Sequence, residues 1–187
     1  SGAARMTRAS LIVRDALSLA LAIRRREVSA EEAAAACLQR IDARNSHTGA
    51  FVDVCHSAAL SNARAIDRAL SREQALGPLT GVPIAIKDVE PMRGAFHRMG
   101  SRTLRYAYCP VDGPIASSLR AAGMNLIGKT ATTELALLPI TETAIHPTCR
   151  TPWNVDSNAG GSSGGAAAAG ADHLVPIAQG SDAAGSI

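Results

Sequence analysis

Aromatic residues make up only 3% of this 187-residue chain: Phe51, Phe96, Tyr106, Tyr108 and Trp153. So few rings leave little for a base-stacking surface, and direct contact with nucleic acid is not expected. The cysteines Cys37, Cys55, Cys109 and Cys149 form no CxxC pair and follow no leader-like segment, which predicts free thiols, not a disulfide framework or a zinc knuckle. His47, His56, His97, His146 and His173 are dispersed and never form HExxH, so no metal site is expected. No lysine follows the glycines in a GxxxxGK[ST] arrangement, which excludes a P-loop, and no organic cofactor is called for. Long apolar runs are missing too. Ala16 to Ile23 is too short and too periodic to cross a bilayer, so no membrane contact is expected and the predicted location is cytoplasmic.

What is present suits a globular core. The chain is 47% apolar and rich in alanine, with a formal charge of +3, as in helices packed closely on a sheet. The cluster Arg24, Arg25 and Arg26 is followed by Glu27, Glu31 and Glu32 and reads as the solvated end of a helix. Leu11 to Ile23 predicts a first helix of about three turns. Ser29 with Glu32 forms a capping-box pattern opening a second, continued by Ala33, Cys37, Leu38 and Ile41. A third is predicted over Ser57 to Leu70 and a fourth over Ile115 to Ala122. Val82 to Ile86 and Met124 to Gly128 are short, nearly continuous apolar runs that read as buried strands ending at Lys87 and Lys129. Pro139 to Asn158 reads as a long ordered surface loop, Ala166 to Gly170 as a helix, Leu174 to Ala178 as a buried strand, and Gly180 to Ile187 as a sharp turn. The fold class is therefore α/β. Residues 1–9 read as a tag remnant or disordered terminus; no repeat or linker divides the rest.

The segment GGSSGG, Gly160 to Gly165, supports several local readings. It could be a flexible linker, since glycine and serine are turn residues. Gly160, Ser162 and Gly164 also satisfy GxSxG, the nucleophile elbow, although an elbow follows a buried strand and TPWNVDSNA stands here instead. Lys87 alone reads as an ordinary lysine after a strand.

Four separated blocks, taken together, resemble the amidase signature family: GPLTGVPIAIKD (Gly77 to Asp88), LRAAGMNLIGKTATTEL (Leu119 to Leu135), TPWNVDSNAGGSSGGAAAA (Thr151 to Ala169) and PIAQGSDAAGSI (Pro176 to Ile187). Their order is the family's, as are the 75 residues from Lys87 to Ser162 and the 24 from there to Ser186. The likeness runs from about Ser10 to Ile187. It implies a mixed β-sheet core flanked by helices in α/β/α layers, with residues 10–187 as the N-terminal part of one domain.

The resemblance also implies a serine amidohydrolase acting on a small-molecule amide through an acyl-enzyme, with no cofactor and no metal. Ser186 would be the nucleophile, Ser162 a bridging serine after a cis peptide at Gly161, and Lys87 the base. The oxyanion hole would be the N–H groups of Ala183, Ala184, Gly185 and Ser186, with Ser163 and Asp182 in support. A lysine has an ordinary pKa of about 10.4, and bringing it near neutrality takes about 4 kcal/mol, which burial at the end of an apolar strand can supply. Lys129, Thr130 and Glu134 read as scaffold, Asp88 as structural, and Cys149 carries a minor reading as a reactive thiol.

One position and one loop depart from the family pattern. Ala184 stands where glycine is usual, and would be strained if that position needs a left-handed backbone. The loop after Lys87 carries Phe96, His97, Arg98 and Met99 in place of small residues. The family continues beyond the nucleophile, so the sequence predicts an exposed sheet edge and apolar face, completed by a C-terminal half or a complementing chain; self-association into a homo-oligomer is an open alternative. Two other functional readings stand beside the hydrolase: the A-type component of a glutamine-dependent amidotransferase, and a non-catalytic assembly subunit.

Overall fold

The computed structural model describes residues 15–74 and 76–187. Residues 1–9, and the Leu11 and Val13 positions of the expected first helix, lie outside them. Helix α1 (Ala16–Arg24) is capped by the Asp15 carboxylate, which accepts the Ser18 N–H. Helix α2 (Ala30–Thr48) opens on the predicted capping box: the Ser29 hydroxyl accepts the Glu32 N–H while the Glu32 carboxylate accepts the Ser29 N–H. Gly49 ends α2 with φ of 59°. Then follow β1 (Phe51–Val54), α3 (His56–Ser71), β2 (Pro83–Lys87), α4 (Pro114–Ala121), β3 (Asn125–Thr130), β4 (Arg150–Thr151), β5 (Asn154–Asn158), α5 (Gly164–Ala171) and β6 (Ile177–Gln179).

The main sheet has the order β1-β3-β2-β6. β2 runs parallel to both β3 and β6, and β1 is antiparallel to β3, so the sheet is mixed. β2 and β3 are buried along their whole length, as parallel strands covered on both faces must be. On one face Ala85 and Ile127 pack against Cys37, Leu38 and Ile41 of α2 and Ala168 and Ala169 of α5. On the other, Ile84, Ile86 and Leu126 pack against Ala116 of α4 and Ala20 of α1. Each buried leucine or isoleucine among them contributes about 1.5–3 kcal/mol relative to exposure.

The β2–β3 register carries one irregularity. Ile84 is opposite Leu126, but Ala85 is opposite Gly128, Ile86 opposite Lys129 and Lys87 opposite Thr130. The extra residue in β3 is a bulge, which moves everything after it to the other face. Lys87 therefore follows Ala85 towards α5, while Lys129 follows Ile86 to the opposite side.

The structure differs from the sequence reading in four places. β1 was not foreseen; it is four residues long, and the Asn45 side chain brackets Phe51 by donating to its carbonyl and accepting its N–H. The stretch from Pro139 to Asn158, read as loop, contains the antiparallel pair β4–β5. Helix α5 begins at Gly164, two residues early, because its glycines let the first turn lie against other backbone: a Cβ on Gly165 would stand 2.2 Å from the Ala131 nitrogen. β6 is confined to three residues. Leu174 and Val175 before it are buried without being strand, and apolar periodicity does not separate a buried turn from a strand.

Candidate active site

Three backbone devices bring distant residues together. β2 ends on Lys87, whose side chain is wholly buried. Ser162 and Ser163 precede the first turn of α5, and the peptide bond from Gly161 to Ser162 is cis. Ser186 arrives on the turn after β6, fastened by the Ser163 N–H donating to the Ser186 carbonyl at 3.1 Å.

The Lys87 Nζ lies 2.8 Å from Ser162 Oγ, 2.8 Å from Ser163 Oγ and 2.9 Å from Ser186 Oγ. Ser162 Oγ and Ser186 Oγ are 2.6 Å apart, and Ser163 Oγ is 3.0 Å from Ser186 Oγ. The Ser162 N–H also donates to Ser186 Oγ at 3.2 Å. Ser181, which the sequence reading had not singled out, offers Lys87 its hydroxyl at 3.1 Å and its carbonyl at 3.3 Å. Gln179 accepts the Lys87 N–H through Oε1 at 3.0 Å. Both belong to the block carrying Ser186, and Ser181 could have been found by asking which hydroxyls return to the lysine with it.

Among the described residues no carboxylate touches Lys87. Burial pushes its pKa below the ordinary lysine value, opposed by the charge of Asp182, because desolvation penalises the ammonium. A neutral amine in this shell of hydroxyls can accept a proton from one of them, and an ammonium can return it.

Asp182 is committed to the turn. Its Oδ1 accepts the Gly185 N–H at 2.5 Å and the Ser186 N–H at 3.0 Å, and its Oδ2 accepts the Ile187 N–H at 3.3 Å. The Ser186 and Gly185 N–H groups hold its pKa below the usual carboxylate range. Two of the four N–H groups expected to bind an oxyanion are thus engaged by this carboxylate. The left-handed residue of the turn is Gly185, with φ of 89°, and Ala184 is not in that region. Alanine is consequently unstrained there.

Asp88 turns away from its neighbour Lys87 and pairs with the buried Lys129 at 3.1 Å. Its other oxygen accepts the Met99 N–H at 2.9 Å, and Lys129 donates to the Glu90 carbonyl. Cys149 is fully buried, and burial pushes its thiol up to about 12, which leaves no thiolate for chemistry at neutral pH. The cysteines of the described residues are all free.

Two openings meet at Ser186. One, of about 610 Å³, runs between Gly160, Gly161, Ala166 and Ala167 on one side and Gly185 to Ile187 on the other. A second, of about 240 Å³, lies between Ser162, Ser186 and the segment Ala136–Pro139.

Comparison with known proteins agrees with this arrangement of blocks. The family model described as Amidase matches residues 32–187. A protein from Acidothermus cellulolyticus, named as the A component of glutamyl-tRNA(Gln) amidotransferase, is 44% identical, over 95% of this chain and 35% of its own length. Its namesake in Mycolicibacterium vanbaalenii is 42% identical, over 95% of this chain and 36% of its own. The chain spans about a third of the length of these curated relatives. Among solved structures, a bacterial aryl acylamidase of the amidase signature family superposes with a TM-score of 0.84 at 28% identity, covering 88% of this chain and 34% of that one.

Proposed function

We propose a function from one premise: the chain belongs to the amidase family, whose model covers residues 32–187. On that premise it carries the acyl-transfer centre of a serine amidohydrolase. The observation that carries the reading is the closed contact of Lys87 Nζ, Ser162 Oγ and Ser186 Oγ, at 2.6 to 2.9 Å. Neutral Lys87 takes the Ser162 proton as Ser162 takes that of Ser186, and Ser186 Oγ attacks the amide carbon. The proton returns by the same route to the amine as the C–N bond breaks, leaving an acyl group on Ser186. Water then enters by the same base catalysis, and carboxylic acid and free Ser186 result.

The oxyanion formed in the attack is assigned to the N–H groups from Ala183 to Ser186. Those of Gly185 and Ser186 are held by Asp182 in the free protein, so they serve an oxyanion only when the carboxylate gives them up. A donor of this kind is worth about 3 kcal/mol in the transition state.

Ser186→Ala should abolish both amide turnover and labelling by a fluorophosphonate, as should Ser162→Ala. Ser163→Ala leaves the 2.6 Å Ser162–Ser186 contact in place but removes the Ser163 contacts to Lys87 and Ser186, and at about 1 kcal/mol for each a rate loss of roughly tenfold to a hundredfold is expected. Retained labelling in Ser186→Ala would refute the assignment.

The relatives' names favour a second reading, in which the site releases ammonia from glutamine for transfer to an acyl acceptor within a complex. Glutamine-dependent amidation by the copurified complex tests it, and absence of glutamine hydrolysis excludes it.

A further inference from the structure

Strand β6 stops one rung short of the site. Its parallel pairing with β2 ends at Ile86–Gln179, and the next residue of β2 is Lys87, which is wholly buried. A buried backbone N–H without an acceptor is costly. Here the acceptor is a side chain, because Gln179 Oε1 takes the Lys87 N–H at 3.0 Å. The other end of the same amide is equally committed, with Nε2 donating to the Gly180 carbonyl at 2.7 Å. Together the two bonds fix the orientation of the amide, since only its oxygen accepts and only its nitrogen donates.

The groups bridged in this way are the backbone of the proposed base and the first residue of the turn that carries the proposed nucleophile. Gly180 lies against the serines, where a Cβ would stand 3.3 Å from Ser163 Oγ. From there the chain passes Ser181, whose carbonyl accepts from Ser163 Oγ at 3.1 Å and whose hydroxyl accepts from Lys87 Nζ at 3.1 Å. It then reaches Ser186, 2.9 Å from Nζ. Had β6 met the Lys87 N–H with its own backbone, the strand would run on by at least one residue, about 3.3 Å. That is more than the Lys87–Ser186 contact itself, so the turn would begin too late to close it. The glutamine lets the strand stop early without orphaning the donor, and it is not among the described residues that line the two openings at Ser186.

Resting on the amidohydrolase reading above, we infer that Gln179 is a positioning residue whose amide locks the Lys87 backbone to the serine-bearing turn. It thereby sets the approach of Nζ to Ser162 and Ser186 without touching the reacting atoms.

Labelling of the complete protein by an ethyl fluorophosphonate tests this, with kinact and KI measured separately. The probe forms a P–O bond to Ser186 Oγ, fluoride leaves, and the serine proton passes through Ser162 to Lys87. Gln179→Leu should lower kinact by about tenfold to a hundredfold, the scale of a misplacement by about 1 Å, and leave KI within about threefold of the parent. Ile177→Ala, in the same strand and 37% exposed, should lower Tm and leave kinact within about twofold. Gln179→Glu sets a carboxylate beside Lys87 and favours its ammonium, so kinact relative to the parent should be at least about threefold lower at pH 6 than at pH 9. Parent-like kinact in Gln179→Leu, a loss carried by KI alone, or a Gln179→Glu pH profile parallel to the parent's overturns the inference and leaves the amidohydrolase reading intact. Should Gln179→Leu not fold, the Gln179→Glu profile decides. A parent that does not label at Ser186 sinks that reading and this one with it.

Discussion

Replacing Lys129 by methionine isolates the electrostatics beneath the site. The lysine and Asp88 side chains are 0% and 2% exposed and 3.1 Å apart. At an effective dielectric near 20 their attraction is about 5 kcal/mol, offset in the parent by the desolvation of both groups. Lys129→Met removes the attraction and leaves the carboxylate buried, with the Met99 N–H as its remaining hydrogen-bond donor. A loss of about 3–5 kcal/mol is expected. The Asp88 pKa is already pushed up by burial, with Lys129 as the largest opposing influence. Without the lysine it rises further. A carboxylate whose folded pKa exceeds its unfolded value loses stability as pH rises through that interval, so the defect should shrink in acid, where Asp88 takes a proton. In Lys129→Met/Asp88→Asn more than half the loss should return. Urea denaturation followed by far-UV circular dichroism measures this; Trp153, 82% exposed, reports poorly on the core. A single variant within about 1 kcal/mol of the parent, or a double variant no better than the single, would show that the pair carries no such coupling.

The same electrostatics make Lys87 a stability liability. Lys87→Met should inactivate the protein yet raise Tm at pH 7, since a buried amine whose charged form burial penalises, with no carboxylate partner among the described residues, is replaced by an apolar chain. A lysine with a depressed folded pKa lowers stability most below that value, so the gain should diminish as pH rises towards the ordinary lysine value of 10.5. Thermal melts at several pH values decide it, and a variant less stable than the parent at pH 7 refutes it. In α5, Gly165→Ala would drive a Cβ into the Ala131 backbone, whereas at Gly170 a Cβ meets nothing within 4 Å. Gly165→Ala should destabilise by about 1–3 kcal/mol or more, and Gly170→Ala should stabilise by about 0.5–1 kcal/mol; equal shifts in the denaturation midpoints would contradict the packing described.

The strands carrying Lys87 and Lys129 were legible because both are apolar runs buried on both faces, and the cap of α2 because Ser29 and Glu32 stand at the spacing a capping box needs. The Lys87, Ser162 and Ser186 positions were legible only jointly, through four blocks in one order, since each alone has a plainer reading. β1 escaped because four residues, one of them Asp53, carry no period to count. The Asp182 turn was legible because an aspartate in a Gly/Ser turn reads as an acceptor for backbone N–H groups, and it accepts those of Gly185, Ser186 and Ile187. The sequence reading made strain at Ala184 conditional on a left-handed backbone there; the structure puts that backbone at the adjacent Gly185. Sequence spacing does not say which residue of a turn carries positive φ.

Why two buried lysines on adjacent strands serve different ends follows from one residue of register. Had the pairing run unbroken from Ile84–Leu126, Ala85 would face Ile127, Ile86 would face Gly128, and Lys87 would stand beside Lys129 on one face. Neighbouring strands lie about 4.8 Å apart, and two ammonium groups at that distance repel by about 3 kcal/mol at an effective dielectric of 20. Neither serines nor Asp88 could then serve both. The observed register sets Lys129 opposite Ile86 and Lys87 opposite Thr130. After the bulge, alternation sends Lys129 to the face where Asp88 waits, and Lys87 to the face of Ser162, Ser163 and Ser186. One lysine keeps a carboxylate partner; the other is surrounded by hydroxyls, and burial disfavours its charged form. The bulge therefore separates a structural cation from the proposed base, a distinction invisible in the two similar strand endings IAIK and LIGK.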